Sequence, residues 1–149
     1  MTVSDIVLGS HTMSVDEARE TISANKGSTD KGSTDTVSTA AVSSGVSQLR
    51  AMASLCNAAS FDVSGEAENV AVEKRKTFGD ATDSAILRFA EKVEDGGVAY
   101  FRACWRRTFE LAFNSKNKFM IRCFTITRSE SLGECLPKDE AKSFSERDT

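Results

Sequence analysis

Proline is almost missing from this chain. Pro137 is the only one in 149 residues, so no proline interrupts any pattern upstream of it. Histidine is represented by His11 alone, and none of the four cysteines (Cys56, Cys104, Cys123, Cys135) forms a C-x-x-C. The ligand spacing of a zinc site is therefore missing. Cys56, Cys104 and Cys123 fall within apolar patterns and are predicted to be small buried thiols, which fits a reducing compartment. Basic excess is lacking too: the formal net charge is −3 and the pI near 5.3, which argues against a nucleic-acid binder. Local positive charge is all that a nucleotide site needs, so that class stays open. No apolar run approaches the roughly 20 residues needed to cross a bilayer. No basic segment leads into an apolar one at the N-terminus, so no secretory signal is visible. The expectation is a chain that does not itself span a membrane.

What is present suits one globular domain with a real core: 40% hydrophobic and 28% charged residues. Residues 1–8 carry Val3, Ile6, Val7 and Leu8 and read as a strand. Across residues 9–45 the pattern weakens. Residues 26–35 are a tandem KGSTD-KGSTD repeat, which has no apolar side chain to bury and predicts a mobile loop. From residue 44 to 59, Val46, Leu49, Met52, Ala53, Cys56 and Ala59 recur at helical spacing, with Ser43 or Ser44 as cap. A short strand is expected at 69–72. Residues 80–93 give the clearest helix, with Ala85, Ile86, Phe89, Ala90 and Val93 on one face. Asp80 is its N-cap, and Asp83 three residues on approximates a capping box. Gly96-Gly97 breaks that helix. Val98, Phe101, Cys104 and Trp105 mark another, ending in Arg106-Arg107, a pair that suits a helix C-terminus. Residues 127–149 read as a polar loop or tail.

Residues 109–124, FELAFNSKNKFMIRCF, are predicted to form a β-hairpin. Phe109, Leu111 and Phe113 alternate with Glu110 and Ala112 in the first arm. Asn114-Ser115-Lys116-Asn117 are turn formers whose side chains bond their own backbone, and 118–126 form the second arm. Two readings of the tip stand side by side. Phe113 can be a core aromatic beside a solvated basic turn. It can also be a ring for a base, with Lys116 and Lys118 for phosphate.

Three motifs occur in order: Leu55-Cys56-Asn57 with Ala58 to Phe61, GDATDSAILRFAE at 79–91, and FNSKNK at 113–118. Together with Met1-Thr2-Val3 they resemble the nucleotide-binding domain of type II P-type cation pumps, nearest the sodium/potassium branch. That family carries L-C-N-R-A-x-F, G-D-A-S-E-S-A-L and F-N-S-T-N-K at this spacing. The resemblance covers residues 1–3 and about 49–126. It implies an α+β domain, an antiparallel sheet flanked by helices, over residues 1–126, within which the weakly patterned stretch at about 9–45 is expected to be a mobile loop. It also implies ATP as ligand, with Mg²⁺ in the parent pump. Adenine would stack on Phe113, Lys118 would bring positive charge to the cleft, Ser115 would lie near the phosphates, and Asp83 would contact the adenine end. Asp83 is one methylene shorter than the family's Glu. Met120 replaces a Gln of the nearest relatives and cannot donate a hydrogen bond.

Other family parts do not occur in this sequence. There is no D-K-T-G-T, whose Asp accepts the phosphoryl group, and no K-G-A, whose Lys reaches deep into the ATP cleft. The resemblance therefore implies part of a nucleotide domain on the cytoplasmic side of an integral membrane pump. Its partners would be the pump's phosphorylation and membrane domains, and nucleic acid would not be one. This chain would hold adenine and ribose without hydrolysing ATP. The alternatives are a non-catalytic nucleotide-binding or interaction module, and a truncated gene product without independent function.

Overall fold

The computed structural model describes residues 1–27, 36–63, 70–94 and 97–127. Among them lie four α-helices and three two-stranded antiparallel ladders, an α+β architecture. The strands do not join into a single sheet. β1 (Asp5–Leu8) pairs with β2 (His11–Ser14), β3 (Ser60–Phe61) with β4 (Thr77–Phe78), and β5 (Trp105–Leu111) with β6 (Ile121–Ile126).

The helices are α1 (Val15–Gly27), α2 (Thr36–Leu55), α3 (Ala81–Val93) and α4 (Gly97–Cys104). The stretch 9–45, read as a loop, thus holds β2, α1 and the start of α2. α1 starts at a reciprocal cap: the Glu17 carboxylate accepts from the Ser14 amide at 2.7 Å, and the Ser14 hydroxyl accepts from the Glu17 amide at 3.3 Å. The Ser14 amide first, and then the Ser14 hydroxyl, which donates to the same carboxylate at 2.9 Å, hold the Glu17 carboxyl below its ordinary pKa. The KGSTD repeat lies outside the described residues from position 28 onward, as does everything after Thr127. The strand expected at 69–72 is not formed at its described end, where Val72 opens a 3₁₀ turn, Val72–Lys74.

α3 is the centre of the core. Leu87, Phe89, Ala90 and Val93 are buried against Ile6 of β1, Val15, Ala18 and Ile22 of the α1 segment, Val46 and Ala53 of α2, and Val98 of α4. The predicted apolar face of α3 is the buried one, and Leu87 extends it because neighbours pack on more than one side. Of the three cysteines expected to be buried, only Cys104 is. Cys56 and Cys123 are exposed because they lie on the outer side of α2's end and of β6.

α4 ends at Cys104, three residues before the expected end at Arg107. Trp105 to Thr108 instead belong to β5, with Trp105 opposite Ile126 and Arg106 opposite Thr125. Cross-strand pairing with a segment twenty residues downstream outweighs the local helical pattern. Thr127 closes α4: its amide and hydroxyl both donate to the Cys104 carbonyl, at 2.9 and 2.7 Å. Arg106 and Arg107 are therefore strand residues and cap no helix.

Arginines from elsewhere cap α2 instead. Arg102 donates to the carbonyls of Ser54 (3.0 Å) and Ala59 (2.9 Å), and Arg122 to that of Leu55 (3.1 Å). Two cations thus meet the negative end of the α2 dipole and its unpaired carbonyls.

Candidate functional site

Two of the three sequence motifs, L-C-N and G-D-A, meet at the end of α2. Asn57 is buried and acts on two sides. Its Oδ1 accepts from the Ala59 amide at 2.7 Å, and its Nδ2 donates to the Asp83 carbonyl at 2.9 Å. The Asp83 Oδ2 in turn accepts from the Ala58 amide at 3.1 Å. The L-C-N and G-D-A motifs are therefore clamped together through Asn57 and Asp83. Gly79 makes the clamp possible. Its φ is +132°, and a Cβ there would lie 2.8 Å from the Ala59 Cβ.

Asp80 caps α3 as expected, its Oδ1 accepting from the amides of Thr82 (2.8 Å) and Asp83 (2.9 Å). Asp83 does not complete a capping box. Its carboxylate reaches across to Ala58 and not back to Asp80. No hydrogen bond or ion pair among the described residues joins Asp83 to the hairpin tip.

Phe113, Ser115 and Lys118 share that tip. The ladder is shorter than the apolar alternation suggests. β5 stops at Leu111 and β6 starts at Ile121, so Phe113 lies in the connecting loop and is 56% exposed. The reading of Phe113 as a core aromatic is thereby removed. Asn114 organises the loop: its Oδ1 accepts from the amides of Lys116 (3.1 Å) and Asn117 (2.8 Å), and its carbonyl accepts from the Lys118 amide (2.9 Å). Lys118 closes the turn at φ +62°, the one non-glycine residue with positive φ among the described residues. A left-handed residue with a Cβ costs roughly 1–2 kcal/mol, and such outliers gather at functional sites.

Sequence reasoning did not find the arginines around α2's end. Arg102 and Arg122 act over long range, where local pattern carries no signal. No group of three or more His, Cys, Asp or Glu residues able to hold a metal ion occurs among the described residues. No described helix is long and apolar enough to cross a membrane.

Against known proteins, residues 45–136 match the family described as P-type ATPase, cytoplasmic domain N. Over 79 residues the chain is 39% identical to the sodium/potassium-transporting ATPase subunit alpha-A of Artemia franciscana. It is 40% identical over 86 residues to the potassium-transporting ATPase alpha chain 2 of Cavia porcellus, and 38% identical over 73 residues to the potassium-transporting ATPase alpha chain 1 of Xenopus laevis. These alignments take in 53%, 58% and 49% of this chain and 8%, 8% and 7% of the respective relatives.

Proposed function

The chain belongs to the P-type ATPases through their cytoplasmic domain N, and from that premise we propose that the hairpin tip holds the adenine and ribose of ATP. One observation carries this reading: an exposed Phe113 and a left-handed Lys118 stand at the two ends of a loop pinned by Asn114. An aromatic left in water at a rigid turn offers a face to a base, a contact worth roughly 1–3 kcal/mol. Lys118 supplies charge to the phosphates, and Ser115 between them offers a hydroxyl. Asp83 serves the same site from the α2–α3 clamp through its second carboxylate oxygen, with a water completing its shorter reach. Mg²⁺ would arrive with the triphosphate, as the partner of the phosphates.

ATP-driven cation transport is the role of the parent architecture in this reading. Its phosphorylation and membrane domains are the partners, and Na⁺ or K⁺ is the ion class. This chain contributes binding and no hydrolysis, because its sequence contains no D-K-T-G-T acceptor. Incubation with ATP is expected to yield no acid-stable acyl-phosphate, and a stoichiometric one would overturn the assignment.

NMR titration of the folded chain with ATP is the direct test. Base and ribose contacts alone predict a Kd on the order of 0.1–10 mM, or about 3–5 kcal/mol. Phe113→Ala is expected to abolish detectable binding while leaving the fold intact. Lys118→Ala should weaken ATP more than adenosine. Unchanged ATP binding in a folded Phe113→Ala variant would refute the site.

A further inference from the structure

One cavity has no place in that reading. It occupies about 410 Å³ between the end of α2 and the β5–β6 ladder, and Arg102, Arg106, Arg107 and Arg122 line it beside Trp105 and Phe124. None of Asp83, Phe113, Ser115 or Lys118 lines it.

Its charges are unevenly matched. Arg102 and Arg122 spend donors on backbone carbonyls at the end of α2. One carboxylate, Glu110, serves both Arg122 and Arg107, each at 2.6 Å. The Asp83 carboxylate holds the Ala58 amide in the same wall. The carbonyl end of α2 adds about half a negative charge. Four guanidiniums still outnumber these groups. Arg106 is exposed, and its side chain makes no hydrogen bond or ion pair among the described residues. Crowding leaves its mark on Arg102, whose pKa is lowered by burial first, then by the charges of Arg122 and Arg107. A concave, partly apolar wall concentrates such a field.

We propose that this cavity is an anion site, separate from the hairpin tip, that binds a phosphate-bearing ligand. Guanidinium forks match phosphate oxygens in pairs, and Arg106 and Arg107 face solvent with donors to spare. Arg102 and Arg122 are fixed by the backbone and supply charge without having to be ordered on binding. Leu55, Trp105 and Phe124 give the cavity apolar wall for an organic portion. The phosphate can come free, as a polyphosphate, or on a nucleotide.

Trp105 is the chain's only tryptophan and lines the cavity, so its fluorescence reports on this site alone. The whole chain is titrated at low salt with pyrophosphate, ATP and adenosine. Pyrophosphate is expected to give a saturable change. The Arg106→Gln, Arg107→Gln double variant should weaken it at least about tenfold, the effect of losing a charged hydrogen bond. Phe113→Ala should leave it unchanged, which separates this site from the nucleotide reading of the tip. If the double variant is poorly folded, Arg106→Gln alone carries the test with a loss of about threefold or more, since the Arg106 side chain makes no hydrogen bond or ion pair among the described residues. A tighter response to ATP than to pyrophosphate, lost with the arginines and kept in Phe113→Ala, assigns the phosphate to a nucleotide. A pyrophosphate response at least as tight assigns it to free polyphosphate. The proposal is overturned if neither anion moves Trp105, if adenosine moves it equally, or if the arginine variants respond as the parent does.

Discussion

In the helical half, Val46, Leu87 and Ala90 lose all contact with solvent between α1, α2 and α3. In the β5–β6 ladder, Phe109, Ile121 and Leu111 keep 54, 44 and 37% of theirs. The helices hold together by burying apolar faces on one another. A two-stranded hairpin alone is marginal in water, and this one is fastened from behind by polar ties. Arg122 reaches the Leu55 carbonyl, Thr127 the Cys104 carbonyl, and Glu110 ties the two strands through Arg122. Burial and anchoring are thus separate means, used in different places. The anchored region is the one free to offer side chains to a ligand.

Substitutions should divide along the same line. The largest effect is expected where a charge is locked into the helical half. Arg50 is almost fully buried on α2, ion-paired with Glu94 and set against the Phe101 ring at 4.6 Å. Glu94→Ala takes a carboxylate partner from that buried charge and should cost up to about 3–5 kcal/mol. Urea unfolding measures it, and a cost below about 1 kcal/mol would show that the pair is not what holds α2 to the end of α3.

Gly79→Ala comes next, at about 1–3 kcal/mol, because it adds a Cβ at a positive φ against Ala59. Pairing it with Ala59→Gly should recover only a small part of the loss, because the Ala59 Cα still lies 2.9 Å from the added Cβ and the positive φ remains. Full recovery would mean that φ matters little there.

In the anchored region the sign should reverse. Lys118→Gly relieves the left-handed strain and should stabilise the chain by up to about 1 kcal/mol while weakening ATP binding. Loss of stability would mean that the lysine side chain supports the turn.

The smallest effect belongs to Glu17. Its folded pKa is depressed, so the cap contributes stability above the ordinary carboxylate pKa and loses it as pH falls through the folded value. Unfolding from pH 7 to pH 3 in the parent and in Glu17→Gln should show a steeper fall for the parent. Parallel curves would remove the carboxylate from the cap.

Much of this was legible locally. Asp80 announces α3, the α3 face follows from its spacing, and Asn114 marks the tip as a turn. The Ser14-x-x-Glu17 box was also present, but it opens a helix whose apolar residues, Val15, Ala18 and Ile22, are sparse among polar ones. The end of α4 was not legible. Val98, Phe101, Cys104 and Trp105 keep helical spacing, and only β6 reveals where the strand begins. Of the candidate site, the tip was readable as a unit. The tie of Asp83 to Ala58 was not, because the two lie 25 residues apart and share no local pattern.

The reach of Arg122 back to residue 55 also has a temporal side. The Leu55 carbonyl, at the last residue of α2, stays open to water until a segment 67 residues further along has been made and has paired as β6. Closing so long a loop is entropically late and slow compared with forming a helix. α2 is therefore expected to form early with a frayed end, and that end to become fixed only when the hairpin docks. During synthesis, the order of events is set by a guanidinium that emerges well after the helix it completes.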